Sequence, residues 1–377
     1  MMPTESEANL SQPHTKQPWD ISRPVPEKVS VFDYGYVVNG FTIGCTKEEL
    51  IKEVAARGPA LDFVWTPEFP QPVFPERLQF LTTSFKKRAV KDARQAITWG
   101  GALVAFGLTL AVIFNDWHLY RNFLAVIGVV VMIEGGWALY RTRNFTIEDA
   151  ASEASAARFD RWSENKSISG YTFGLCAALV VVGIVQVFYG LDESFEQAGL
   201  VKSAVWQGQV WRLATATLMH ASFEHFWMNF LGLLALARII EQTIHRAFVP
   251  VIFYLSAICG SLFSLVLYPH ATSVGASGGV MGLIGFLTVA ALINREKYPQ
   301  KYLRRLIEGI IFVGVLGIVG FAMIDNGAHL GGLLCGVGLG WLFLKWRGVE
   351  TRESGLAILS LLLLGVTASM AIWRIVG

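Results

Sequence analysis

Ser277-Gly278-Gly279-Val280-Met281-Gly282-Leu283-Ile284-Gly285-Phe286-Leu287-Thr288-Val289-Ala290-Ala291-Leu292-Ile293 contains no charged side chain. Ala328-His329-Leu330-Gly331-Gly332-Leu333-Leu334-Cys335-Gly336-Val337-Gly338-Leu339-Gly340 has the same character. Neither run has the polar face of a surface helix in a globular protein. Each approaches the ~20 residues that carry a helix across a bilayer. A helix is the open-chain solution there, because lipid offers no partner to the backbone N–H and C=O groups.

Similar runs occur at about 98–114, 122–140, 171–190, 226–244, 249–268, 307–324 and 355–373, giving nine candidate spans in all. Composition agrees. The 377 residues are 53% hydrophobic and only 16% charged, whereas soluble domains carry about 25% charged residues. Mean hydropathy is +0.46. A net charge of +2 gives no basic surface for nucleic acid. Cys45, Cys176, Cys259 and Cys335 lie far apart without metal-ligand spacing and read as reduced core thiols. The sequence is that of an all-α polytopic membrane protein preceded by a small α+β module.

Residues 1–29 are polar and Pro-interrupted and read as a disordered tail. They hold no apolar core for a signal peptide, and Glu5, Glu7, Asp20 and Glu27 disfavour an organellar transit sequence. The resulting expectation is a bacterial cytoplasmic (inner) membrane. Residues 30–95 form the small module. Asn39-Gly40 between β-formers predicts a hairpin, and Thr46-Lys47-Glu48-Glu49 predicts a capping box opening a helix. Pro67, Pro70, Pro72 and Pro75 then predict irregular chain. An extra transmembrane hairpin (96–145), a cytoplasmic linker (146–170), a core (171–346) and an extra C-terminal helix (355–377) follow. Lys86, Lys87, Arg88, Lys91 and Arg94, then Arg141 to Lys166, then Arg295 to Arg305 and Lys345, mark alternate connections. By the positive-inside rule the N-terminus and its module are cytoplasmic. The 191–224 connection, with Trp206, Trp211 and Arg212, reads either as an element lying in the headgroup layer or as a floppy loop.

The spans at 226–244, 277–293 and 328–345 all begin on the outer side. Their heads carry His220, His225 and Asn229; Gly275-Ala276-Ser277-Gly278; and Asp325, Ala328 and His329. A hydroxyl, imidazoles and an amide at one depth are the components of acyl transfer. Singly each is weaker, since a serine among glycines usually marks close helix packing and Asn229 alone can be interhelical glue. Gly332-xxx-Gly336-xxx-Gly340 predicts such packing, with the glycine-rich Ser277 helix as its natural partner. Asp325, with Asn326 and Gly327, reads as a solvated turn.

These motifs together resemble the rhomboid intramembrane serine proteases. Gly275-Ala276-Ser277-Gly278 and Ala328-His329 match the family's serine and histidine segments. His220 through His225 to Asn229 matches its HxxxxHxxxN pattern, and Trp211-Arg212 its Trp-Arg pair; Glu241 resembles its acidic residue at the inner end of the second core helix. The resemblance covers about 171–346 and implies a six-helix core with two extra N-terminal spans and one extra C-terminal span. It implies Ser277 as nucleophile, His329 as general base, and the Ser277 N–H, His225 and Asn229 as oxyanion donors. His220, Gly275, Gly278, Trp211 and Arg212 are implied to be supporting, with His220 holding the loop by hydrogen bonds. Substrates would be transmembrane proteins within the lipid bilayer, and no cofactor, metal or nucleic acid is called for. Two departures stand out: Met281 replaces a frequent aromatic, and His245 replaces a frequent glycine. Competing readings are a catalytically silent rhomboid-like protein that binds membrane helices and, less favoured, a transporter, for which Glu134 would be the intramembrane carboxylate.

Overall fold

The computed structural model describes residues 19, 32–38, 40–58, 61–113, 123–319, 324–345 and 353–377. The chain divides into two compact units, residues 1–162 with 297–302, and residues 163–296 with 303–377.

The first unit contains a four-stranded antiparallel sheet of order β2-β1-β3-β4. Its strands are β1 Tyr34–Val38, β2 Phe41–Cys45, β3 Phe63–Thr66 and β4 Phe69–Val73. Gly40 at φ +82° turns β1 into β2, where only glycine escapes a steric penalty; Asn39, the other half of the expected turn pair, lies outside the described residues. Helix α1 (Lys47–Arg57) opens with the expected capping box between Thr46 and Glu49. The proline-rich segment is a correction. Pro70 and Pro72 fall within β4, which is tolerable because β4 is an edge strand and needs N–H donors on one side only.

The expected linker is a helix, α4 (Ile147–Glu164). Thr146 Oγ1 accepts from the Asp149 N–H at 3.3 Å, and Asp149 Oδ2 accepts from the Thr146 N–H at 3.0 Å. Ala150 is buried with Leu50, Val54, Val64 and Phe85 in one core, and Phe145 and Ile147 pack against it. The module therefore recruits residues well beyond 95. Of the expected tail only Trp19 is described; its ring meets Phe159 edge-on at 5.1 Å, and its indole donates to Ser155 Oγ.

Helix α2 (Thr82–Ile113) has 32 residues, about 48 Å at 1.5 Å per residue. It carries both the basic stretch and the first apolar run, so the first span has no separate start. Helix α3 (Phe123–Arg141) returns beside it. A Cβ at Gly100 would fall 2.6 Å from the Gly128 carbonyl oxygen, and one at Gly128 would fall 2.5 Å from that of Gly100.

The second unit holds the remaining helices: α5 (Gly170–Tyr189), short helices α6 (Leu191–Ala198), α7 (Lys202–Trp206) and α8 (Arg212–Thr215), then α9 (Phe223–Ile240), α10 (Phe248–Leu267) and α11 (Ser277–Ile293). Helices α12 (Gln300–Val319), α13 (Asn326–Lys345) and α14 (Glu353–Val376) complete the chain. Every one of the nine apolar runs lies mainly within a helix. Among the described residues seven helices are long and apolar enough to cross a membrane. Helix α11 falls short at 17 residues, and the first half of α12 carries Lys301, Arg304, Arg305 and Glu308.

Helix α10 is the buried post of this unit, with Phe253, Tyr254 and Val249 inaccessible. Helices α11 and α13 meet backbone to backbone. A Cβ at Gly332 would lie 2.0 Å from the Gly278 carbonyl oxygen, one at Gly336 1.9 Å from that of Gly282, and one at Gly285 2.5 Å from that of Leu333. Such contacts force the neighbouring backbone to move if a methyl is added.

Gly336→Ala is accordingly expected to lower stability by about 1–3 kcal/mol, the usual cost of overpacking. Gly338→Ala, with nothing within 4 Å of its Cβ position, is expected to be neutral or to stabilise by up to about 1 kcal/mol through helix propensity. Thermal unfolding of the detergent-solubilised chain separates them; equal midpoints would show that the close approach carries no weight.

Candidate active site

Ser277 is the first residue of α11, and the chain leading to it is pinned from two sides. The Leu200 N–H donates to the Ser273 carbonyl at 2.9 Å and the Ser273 N–H returns the bond to Leu200 at 3.3 Å; the Gly275 N–H donates to the Ala216 carbonyl at 2.9 Å. Gly275 has φ +135°, a conformation L side chains avoid. A Cβ there would stand 2.7 Å from His225 Cε1, 2.9 Å from His225 Nε2 and 3.8 Å from Ser277 Oγ. The missing side chain is thus the space in which the His225 ring comes beside the serine.

Helix α9 begins just before that ring, with Ser222 Oγ accepting from the His225 N–H at 3.2 Å. Asn229 follows one turn later, so both side chains emerge on one face. It is 6% exposed, and its Nδ2 donates to the His225 carbonyl at 2.9 Å. One amide hydrogen is spent on the helix and the second is left for another acceptor.

His329 lies in the first turn of α13. The Ala328 carbonyl oxygen is 3.3 Å from the Cβ position of Gly278, so the Ser277-Gly278 and Ala328-His329 pairs are apposed. His329 Nδ1 is buried without a hydrogen-bond partner among the described residues. No hydrogen bond there joins Ser277 Oγ to His329. Catalytic hydrogen bonds in substrate-free sites are commonly long and tighten on binding. Met281 is buried one turn below the serine.

The supporting residues are also fixed. The His220 N–H donates to Gln186 Oε1 at 3.0 Å, and Gln186 Nε2 donates back to the His220 carbonyl at 3.4 Å. Loop-holding hydrogen bonds are therefore made by the His220 backbone; its ring stands edge-on to His225 at 5.2 Å. Burial, then His225, push the His220 pKa down to about 3 against an opposing pull from the Leu218 backbone. Arg212 is buried and donates to the carbonyls of Gly199 at 2.7 Å and Glu196 at 2.8 Å, and to Gln209 Oε1 at 2.8 Å. Its guanidinium lies over the Trp211 ring at 4.6 Å. With α6, α7 and α8, this makes the 191–224 connection a folded element instead of a floppy loop. Glu241 accepts from the Ser169 N–H and from the hydroxyls of Ser169 and Thr172 at the start of α5.

Asp325 corrects the sequence reading of a solvated turn. Its Oδ1 accepts from the Ala328 N–H at 2.9 Å and its Oδ2 accepts from Ser264 Oγ. It is the N-cap of the helix that carries His329. An Asp three residues ahead of a long apolar run was the available signal. Gln186, Ser264 and Ser273 had none, because single polar residues in apolar or loop sequence do not announce their partners.

A polytopic helical membrane protein with a serine-headed and a histidine-headed helix packed through glycines defines the class. Residues 207–346 match the Rhomboid domain. The chain is 34% identical over 152 residues to RHOMBOID-like protein 7 of Arabidopsis thaliana, covering 40% of this chain and 48% of that protein. It is 34% identical over 137 residues to Rhomboid protease GluP of Bacillus subtilis, covering 36% and 26%. Identity to Rhomboid-like protease 1 of Toxoplasma gondii is 32% over 143 residues, covering 37% and 49%. The chain thus spans about half or less of the length of these relatives. What the chain shares with them is this Rhomboid domain, residues 207–346.

The buried His220 sets a pH dependence. Between pH 6.5 and about 3 the unfolded chain binds a proton at this residue and the folded chain does not, so stability falls as pH falls through that window and is unaffected above it. His220→Gln is expected to give a shallower loss of unfolding midpoint from pH 6.5 to 4 than the wild type. Parallel curves would show that the ring takes its proton without unfolding.

Proposed function

We propose that this chain is an intramembrane serine endopeptidase that cuts transmembrane substrates with a Ser277–His329 dyad. The observation that carries the reading is the apposition of Ser277-Gly278 with Ala328-His329, the Ala328 carbonyl oxygen lying 3.3 Å from the Cβ position of Gly278, with the His225 imidazole close by at Gly275. The names of the Bacillus and Toxoplasma relatives as proteases support it at family level.

In the proposed reaction Ser277 Oγ attacks the scissile carbonyl carbon as His329 accepts its proton. The oxyanion forms against the Ser277 N–H, at a helix N-terminus that favours negative charge, and against His225 and Asn229. The C–N bond then breaks, and the amine leaves with the proton from the imidazolium. Water attacks the acyl-enzyme by the same proton route and frees the serine. Substrate helices would need small or helix-breaking residues near the cut, since unwinding in lipid exposes backbone groups. The Lys and Arg distribution supports a cytoplasmic N-terminus and a site near the outer face. Relatives drawn mostly from Arabidopsis give no support to the expected bacterial inner membrane.

A silent helix-binding role is the second reading, favoured by the absence of a Ser277–His329 hydrogen bond among the described residues. A fluorophosphonate probe decides between them. Wild type is expected to label, and Ser277→Ala and His329→Ala to remain unlabelled though folded. Asn229→Ala should cleave a transmembrane reporter ~10²–10³-fold more slowly, the usual cost of one oxyanion donor. An unlabelled wild type would favour the silent role.

A further inference from the structure

Helix α14 stands outside the six-helix core that the family resemblance implies, yet it is joined to the second unit along one side. Ser360, Leu364, Thr367, Ala371 and Ile375 are buried, whereas Ile358, Leu361, Leu362, Val366 and Trp373 are exposed. The buried set recurs every three or four residues, so one helix face is packed and the other is left for lipid. The helix meets α5, α6, α8 and α10, and Ser360 Oγ donates to the Ala247 carbonyl at the head of α10.

The last turn of α14 carries a cation, Arg374. The helix dipole favours an arginine anywhere in a last turn, but it does not direct that arginine to one neighbour. The Arg374 guanidinium lies over the Trp211 ring at 4.4 Å and over the adjacent Trp373 ring at 4.5 Å. Its Nε is buried without a hydrogen-bond partner among the described residues, so the indole faces are what compensate it. Trp211 also takes the Arg212 guanidinium, at 4.6 Å. Two guanidiniums therefore share one indole, one from α8 and one from the far end of the chain.

Both ties on the serine-bearing segment start from that indole and its neighbour. Arg212 donates to the Gly199 carbonyl at 2.7 Å, and the next residue, Leu200, exchanges backbone bonds with Ser273. The Trp211 carbonyl accepts the Ala214 and Thr215 N–H groups at 3.0 and 3.1 Å, and the Ala216 carbonyl that follows takes the Gly275 N–H at 2.9 Å. Thr215 Oγ1 donates to the Ala198 carbonyl at 2.8 Å and joins the two arms.

We propose that α14 holds the serine-bearing segment in place through Arg374, whose contact with the Trp211 ring steadies both ties to residues 273–275. Arg374 is a positioning residue, acting on Ser277 only through Trp211. The consequence for rate rests on the proposed hydrolase reading; the consequence for residues 273–275 does not.

Arg374→Met and Arg374→Lys test it in the full-length chain, since methionine keeps an apolar stem without charge and lysine keeps a cation for the ring. Arg374→Met is expected to raise hydrogen exchange at Leu200, Ser273 and Gly275 roughly 2–30-fold, the range of one cation–π contact. Residues 283–291 of α11 should stay protected as in the wild type. On a transmembrane reporter kcat should fall within the same range, with KM held. Arg374→Lys should sit closer to the wild type on both measures, which a role for the stem alone would not produce. In a Trp211→Leu background Arg374→Met should add nothing, because the ring it needs is gone. Wild-type exchange at the three amides in Arg374→Met, no advantage of lysine over methionine, or a full added defect in the Trp211→Leu background would each overturn the proposal. Raised exchange with an unchanged kcat would overturn the positioning role. An unlabelled wild type under the fluorophosphonate probe sinks the hydrolase reading alone, since exchange still reports on the ties.

Discussion

The contact of glycine Cα with carbonyl oxygen between α11 and α13 is what the rest of the second unit depends on. Lipid tails are as apolar as leucine, so helices in a bilayer gain little from burying apolar side chains and associate instead by close packing. Gly278 faces Gly332 and Gly282 faces Gly336, a step of four on both helices. The two helices are therefore parallel and locked in register. Ser277 precedes Gly278 by one residue and His329 precedes Gly332 by three. The imidazole consequently starts two residues, about 3 Å, nearer the helix heads than the hydroxyl. A one-turn slip would part them by about 5 Å.

Register sets height, and capping sets where each helix begins. The first four N–H groups of a helix lack internal partners, and in an apolar setting they must be satisfied nearby. Ser169 caps α5, Ser222 caps α9, and Asp325 caps α13. Like α10, which follows Ala247, helix α11 departs from this pattern: Ala276 precedes it with no side-chain cap. Its leading N–H groups are left for something other than a cap, and in the proposed reaction that is the oxyanion. In the proposed reaction a capping oxygen there would occupy the place a substrate oxygen needs.

Much of this was legible because hydropathy is a local property. Nine apolar runs became helices, and Gly332-xxx-Gly336 announced a close approach whose partner, rich in Gly278, Gly279, Gly282 and Gly285, was also visible. Asp325 was misread because its turn-forming neighbours Asn326 and Gly327 suggested exposure; both lie instead in the first turn of α13. Two prolines argued against β4, since a single sequence does not say which strand will lie at an edge. Helix α4 hid behind its polarity, although Thr146 and Asp149 carry a capping signal. Lys202 gave no signal at all. It is nevertheless buried, two residues beyond Leu200, whose pairing with Ser273 is a contact across the chain that no periodicity encodes.

The orientation of His329 shows where the organising energy resides. In a Ser-His-Asp triad a carboxylate accepts from imidazole Nδ1 and holds the ring. Here Nδ1 has no hydrogen-bond partner among the described residues, and the nearby carboxylate of Asp325 is engaged with the Ala328 N–H and the Ser264 hydroxyl. Asp325 therefore holds the helix, not the ring. The ring is aimed by the backbone that carries it, and that backbone is fixed by glycine contacts on one side and a cap at its head. For the proposed dyad, such an arrangement would trade a third side chain for rigid helix packing, which a bilayer protein already requires for assembly. It also makes the proposed dyad sensitive to changes far from either residue, wherever the separation or register of α11 and α13 is disturbed.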